Sequence, residues 1–403
     1  MSSRYFANEK VNTGRQPELD LLKALCVVGM IFVHSVLDLG NDVLPSTLDD
    51  YGTEFFGAAT FMICMGVGMC YMHNQSAKAY VIRGFGLLTI GQFLNICRDS
   101  IPNLIAWWVT GKQIFIANAL LVLQSDILSF AGLAFLLIAL FKKLKLKNGT
   151  ILGISVVMSL FALISWHVFP SPENYLLSQL LGYFVITKAE SYFPLLCYFI
   201  FVAFGCFIGG YYPRIKDKDA LANRLMLICF PTVAVYYFFR FTMEWSYLPE
   251  LGSDMQYNMK PTPDAIFTCI FTLGFLALLT KVVRLFGGEM PYVVNHFSKY
   301  INNYYCLHFM WIMPLRTILI ATTGDVMQKV WTPYLYAAFV TVACYVIIEL
   351  NERYWHIHFA NLKGAKGIAF VAFVWIATIA ITAYAYPKIE VYANIWNEYL
   401  LGE

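Results

Sequence analysis

The sequence predicts an all-α polytopic membrane protein with about eleven transmembrane helices, and three observations point to it. Of its 403 residues, 59% are hydrophobic and only 13% are charged, where a soluble domain carries about 25% charge. Apolar runs of the length a bilayer demands, about 20 residues, follow one another almost from end to end. Between them, Lys and Arg collect in alternate loops, the pattern of the positive-inside rule.

The first 17 residues are polar, and the apolar run after them is longer than the core of a secretory leader. The first four expected helices are 19–39, 54–73, 78–97 and 117–141. The middle ones are 149–168, 192–211, 222–241 and 263–283, and the last three are 298–321, 331–350 and 367–386. The stretch 101–111 (IPNLIAWWVTG) is too short to span, and its paired tryptophans suit the membrane interface. With this count, five basic regions share one side. They are Arg4–Arg15, Lys142–Lys147, Arg214–Arg224, Lys281–Lys299 and Arg353–Lys366. The loops 40–53, 169–191 and 242–262 are poor in Lys and Arg. The N-terminus is therefore expected in the cytoplasm and the C-terminus outside. Residues 1–18 read as a cytoplasmic segment, 19–386 as one membrane domain and 387–403 as an external tail.

Several function classes lose support at once. A net charge of +3 gives no argument for nucleic acid. All ten cysteines lie in or beside apolar runs with no metal-type spacing, as small buried hydrophobes do. His356 and His358 form an HxH pair without an obvious third ligand, so no metal is expected. HExxH, P-loop, GxGxxG and GxSxG patterns are absent.

The first helix is the exception to the apolar rule. It reads ELDLLKALCVVGMIFVHSVLD and holds Glu18, Asp20, Lys23 and His34. Ionisable residues inside a span are costly and point to function. At about 100° per residue, eleven residues bring His34 to within roughly 20° of Lys23. Both side chains then share a face, about 16 Å apart along the axis. Two plainer readings stand beside this one: Lys23 snorkelling to the interface, and His34 hydrogen-bonding between helices.

Lys23-x10-His34, preceded by Leu19 and Asp20, resembles the motif of the membrane acyltransferase-three family. The chain also resembles bacterial relatives of heparan-α-glucosaminide N-acetyltransferase, in the broader transmembrane acyltransferase superfamily. The supporting stretches are EFFGAATFMICMGVGM at 54–69, RGFGLLTIGQFLN at 83–95 and VLQSDILSFAGLAFLL at 122–137. YFPLLCYFIFVAFGCFIGG at 192–210 and NNYYCLHFMW at 302–311 complete the order. The family usually has Arg where this chain has Lys23, so a charge is kept and a planar two-pronged donor is lost.

The resemblance implies transfer of an acyl group, most often acetyl. The donor is acyl-CoA from the cytoplasm, and the acceptor is a hydroxyl or amine of a carbohydrate or glycolipid on the far side. It also implies a bacterial cytoplasmic membrane, membrane lipids as partners, and no nucleic acid; a homodimer is left open. His34 is then the general base, since neutral imidazole takes a proton near pH 7, or the acyl carrier itself. Asp126 either orients His34 or makes an ordinary interhelical hydrogen bond. Lys23 and Arg83 suit the mouth that takes the nucleotide of the donor. Gln92, Asn95, Asn303 and His308 are expected deeper along the donor path, with Gln124 nearby. Glu54, Gln124, Arg240 and Trp245 are candidates for the acceptor. The rival class is a transporter or flippase without covalent chemistry.

Overall fold

The computed structural model describes residues 4–40, 57–168, 172, 174–187, 192–243, 260–356 and 364–390. Apart from two isolated bridges, the regular structure among them is helical. The helices are α1 Pro17–Leu39, α2 Ala58–Tyr71, α3 Ala77–Asn95, α4 Ile101–Thr110 and α5 Gln113–Ala119. Next come α6 Ile127–Lys143, α7 Asn148–Val168, α8 Tyr175–Gly182, α9 Leu195–Tyr211 and α10 Lys218–Thr242. The last are α11 Thr262–Leu285, α12 Tyr292–Lys299, α13 Ile301–Thr323, α14 Thr332–Leu350 and α15 Gly364–Glu390. Nine helical segments among the described residues are long and apolar enough to cross a membrane. The other two expected spans appear as the shorter α2 and α6. The chain is thus an all-helical polytopic membrane protein.

Two expectations change. The third span does not stop at 97: a π-helical turn, Ile96–Ser100, joins α3 to α4 without a break. The stretch 101–111 is therefore the continuation of the same helix, with Asn103 and Ala106 buried, and Gly111, at φ 70°, ends it ahead of α5. The fourth span is broken where it was expected to run through. A short 3-10 segment, Leu120–Leu123, ends α5, and α6 starts only after Gln124, Ser125 and Asp126. Such irregular backbone is tolerated at membrane depth only when its polar groups are satisfied by protein or a polar cavity. Asn95 does this here, its amide donating to the carbonyls of Val122 at 3.3 Å and Gln124 at 3.0 Å.

α1 is central, packing against α2, α11, α12, α13 and α14. Its N-terminal end is held by charge. Glu18 accepts from the Tyr212 hydroxyl and from Lys218, both at 2.6 Å. Asp20 pairs with Arg15 and accepts from Ser298. The N-terminal segment lies along 213–216, with Ala7 N donating to Arg214 O at 2.8 Å. Tyr71 donates to Asn12 O, Tyr80 to Met69 O, and Lys142 sits 5.1 Å over the Tyr80 ring. Lys299 pairs with Glu352 at 3.8 Å and Arg353 with Glu349 at 3.2 Å. These contacts gather basic residues from all five expected regions at one end of the bundle.

The tightest helix pair is α2 with α9. A Cβ on Gly66 would lie 2.2 Å from Val202 O, and one on Gly205 2.2 Å from Ile63 O. Only glycine lets the two backbones meet, as at small-residue interfaces between membrane helices. Seven of the ten cysteines are buried, and all ten are free.

Candidate active site around His34

Val27 and Ile31 pack α1 into an apolar cluster with Tyr304, Val340 and Cys344. One turn farther, the same helix presents His34 to α13. The His34 ring centroid is 4.6 Å from that of Phe309 and 5.4 Å from that of His308. Phe309 and His308 are themselves 4.1 Å apart, so the three rings form one cluster. His34 Nδ1 lies 3.6 Å from Asp38 Oδ2, one turn on in α1. That is too long for a hydrogen bond and within reach of an ion pair once the imidazole is protonated. With Nδ1 turned to the carboxylate, Nε2 is the nitrogen left for chemistry. The His34 side chain is 35% exposed, whereas His308 is fully buried.

The tautomer of His308 follows from its partner. Nδ1 is 3.0 Å from Tyr304 O, and a carbonyl can only accept, so Nδ1 carries the hydrogen. Nε2 then holds a bare lone pair, buried without a hydrogen-bond partner among the described residues.

A buried charged cluster lies behind the rings. Residues adjacent in an α-helix point about 100° apart, yet the π turn buries both Arg98 and Asp99. Arg98 Nε donates to Asp99 Oδ2 at 2.9 Å, and Nη2 lies 3.5 Å from Asp126 Oδ2. The guanidinium carbon sits 4.3 Å from the Phe309 ring. Asp99 Oδ2 also accepts from Gln124 Nε2 at 2.8 Å. Asp126 caps α6, Oδ1 accepting from Leu128 N at 2.9 Å and Ser129 N at 3.1 Å. Its Oδ2 accepts from the Tyr305 hydroxyl at 3.1 Å. Arg98 is thus held between two carboxylates directly behind the imidazole pair.

The structure brings some expected residues together and separates others. His34 and His308 meet. Asp126 makes no ion pair with His34; the carboxylate there is Asp38. Gln124 and Asn95 belong to the charged cluster and to the broken helix. Gln92 donates to the Tyr183 hydroxyl at 2.8 Å. Lys23 lies half-buried on the side of α1 near Cys64, with no hydrogen bond or ion pair among the described residues. Arg83 is exposed on α3, its guanidinium 5.7 Å over Phe135. Asn303 is exposed on α13, away from the buried side that carries His308. Arg240 pairs at 3.1 Å with the buried Asp264. Glu54, Trp245, most of the loop 242–262 and the tail 391–403 lie outside the described residues.

Asp38, Arg98, Asp99 and Phe309 escape the sequence reading. Asp38 stands four residues from His34, a helical neighbour. Arg98 and Asp99 interrupt an apolar stretch that runs on to Gly111, a signal lost when the helix is ended at 97. Among the described residues, no group of three or more His, Cys, Asp or Glu is placed to hold a metal ion.

A family model described as heparan-alpha-glucosaminide N-acetyltransferase, catalytic, matches residues 15–241, more than half of the chain. It supports the second of the two resemblances drawn from the sequence and gives none specifically to the acyltransferase-three one. The match takes in Lys23, His34, Asp38, Arg98, Asp99 and Asp126, and stops short of the 302–311 stretch with His308. Neither the curated proteins nor the solved structures provide a significant match.

Proposed function

Because the chain belongs to the heparan-α-glucosaminide N-acetyltransferase catalytic family, we propose that it moves an acetyl group from acetyl-CoA to a hydroxyl or amine of a carbohydrate or glycolipid. The observation that carries this reading is His34. It is half-exposed within a buried polar site, with Asp38 at Nδ1 and His308 alongside. Toward the basic end of the same helix face stands Lys23, which has no partner among the described residues.

The chemistry asked of these groups is modest. As the acceptor oxygen or nitrogen bonds to the thioester carbonyl carbon, its proton passes to His34 Nε2. The carbon–sulfur bond breaks, and the leaving thiolate takes a proton back from the imidazolium. In the covalent variant Nε2 attacks the carbonyl first and the CoA thiolate leaves; the acceptor then displaces the imidazole, its proton passes to the freed Nε2, and the thiolate takes it up. In both routes a positive imidazole forms at His34, where Asp38, 3.6 Å from Nδ1, favours it. The donor fits the spacing along α1. Lys23 offers a cation to the charged nucleotide or pantetheine phosphate, and about 16 Å of helix separates it from His34, a length suited to an extended pantetheine arm. By the positive-inside rule the donor enters from the cytoplasm and the acceptor arrives from the far side.

The test is transfer from labelled acetyl-CoA by purified protein to amino-sugar and sugar acceptors. His34→Ala should cost about 10²–10⁴-fold, the usual worth of a general base. Full activity in that variant would remove His34 from the mechanism. Solute uptake into proteoliposomes without any acyl donor would favour a transporter instead.

A further inference from the structure

We infer that Arg98 is a positioning residue for the His34–His308 pair, acting through the ring of Phe309. Asp99 and Asp126 hold its guanidinium in place. The inference rests on the reading of His34 as the reacting imidazole.

His34 has little else to fix its ring. No hydrogen bond from the protein holds it among the described residues, and Asp38 stands off at 3.6 Å. Its close neighbours are Phe309 and His308. Phe309 touches both imidazoles, and what lies against Phe309 is the planar guanidinium of Arg98, 4.3 Å away. A planar guanidinium over a ring face can stack on it and so restrain its tilt, which a point charge does less well. Arg98 makes no hydrogen bond to either histidine among the described residues, and the ring it shares with both is that of Phe309.

Architecture argues against a merely structural pair. A buried ion pair is weak support for stability, and well-packed apolar residues often serve as well or better. Here three charges sit inside a membrane-spanning region, where each is expensive. Two departures from regular helix accompany them: the π turn that buries Arg98 with Asp99, and the break that lets Asp126 begin a new helix. Both features recur at functional sites. Together they bring a fixed cation to one face of Phe309 while the imidazoles occupy its surroundings.

The test uses Arg98→Lys, which keeps the charge and loses the plane, and Phe309→Leu, which keeps bulk and loses the ring. Each should lower kcat about 10–100-fold, the scale of a small misplacement of reacting groups, while KM for acetyl-CoA stays within about 2-fold. If Arg98 acts through Phe309, the double variant should be little worse than the poorer single one. Multiplying losses, or a raised KM with kcat intact, would overturn the inference. A second readout needs no turnover. Diethylpyrocarbonate on the purified protein should label His34 and spare the buried His308; both variants should expose His308 and change the rate at His34. Unchanged labelling in both overturns the positioning role, even in a preparation that transfers nothing. Changed labelling in the variants, with no acetyl transfer by the wild type, would instead count against the enzymatic reading and leave the placement standing.

Discussion

Asp126 and Asp38 should fail in opposite ways when neutralised. Asp126 performs three structural tasks: it caps α6, accepts from Tyr305 and faces Arg98. Losing the cap costs about 1 kcal/mol, and the buried Tyr305 bond contributes about 1 kcal/mol. Breaking a buried ion pair costs about 3–5 kcal/mol. Asp99 remains on Arg98 at 2.9 Å while the Asp126 contact is longer at 3.5 Å, so we take roughly half, about 2 kcal/mol. Asp126→Ala should therefore lose about 4 kcal/mol in all. Asp126→Asn keeps a capping oxygen and should lose about 2–3 kcal/mol, and Tyr305→Phe about 1 kcal/mol. Asp38 is half-exposed, so Asp38→Asn should change stability by less than about 0.5 kcal/mol. Its worth lies in the reaction. A carboxylate 3.6 Å from a forming imidazolium contributes about 1–2 kcal/mol in a partly hydrated site, or roughly 5–30-fold in kcat. The assay is denaturant unfolding of detergent-solubilised variants beside initial rates of acetyl transfer. Wild-type stability with collapsed kcat in Asp126→Asn would refute the assignment, as would a destabilised but fully active Asp38→Asn.

Gly66→Leu should block folding or assembly of the membrane domain, because its side chain would enter the α9 backbone 2.2 Å away; normal expression and melting would contradict that contact. Lys23→Ala should raise KM for acetyl-CoA about 10-fold, the value of a charge-assisted contact, and Lys23→Arg should retain donor affinity. An unchanged KM in the alanine variant would take Lys23 out of the donor path. Arg240→Gln removes the 3.1 Å ion pair with the buried Asp264 and should destabilise by about 3 kcal/mol, with KM for the acceptor little changed. The reverse outcome would return Arg240 to acceptor recognition.

The helices were legible because a bilayer imposes a long apolar run on each span, and charge in the loops supplied their order. Basic residues from all five loop regions do gather at one end of the bundle. What escaped was irregularity inside a span. Hydropathy alone does not show that Ile96–Ser100 widens into a π turn, so Arg98 and Asp99 read as the end of a helix. The break at Gln124–Asp126 likewise depends on Asn95 reaching carbonyls some 27 residues away, a tertiary bond no local pattern reveals. His34 and His308 stood out because histidine is rare in such surroundings. Asp126 drew attention for the same reason, but burial could not say which cation it faced. Asp38 carries no role in the sequence reading, although its four-residue spacing from His34 is visible there. Lys23 fell on the face of His34 as helical geometry requires, whereas Asn303 turned out exposed because five residues rotate it well away from His308.

The most direct test of the account is the rate of labelled acetyl transfer from acetyl-CoA to a hexosamine acceptor, measured for the wild type and for a folded His34→Ala variant in one preparation. The account predicts transfer by the wild type and a loss of at least about 100-fold on removing the imidazole. Equal rates in the two proteins would contradict it.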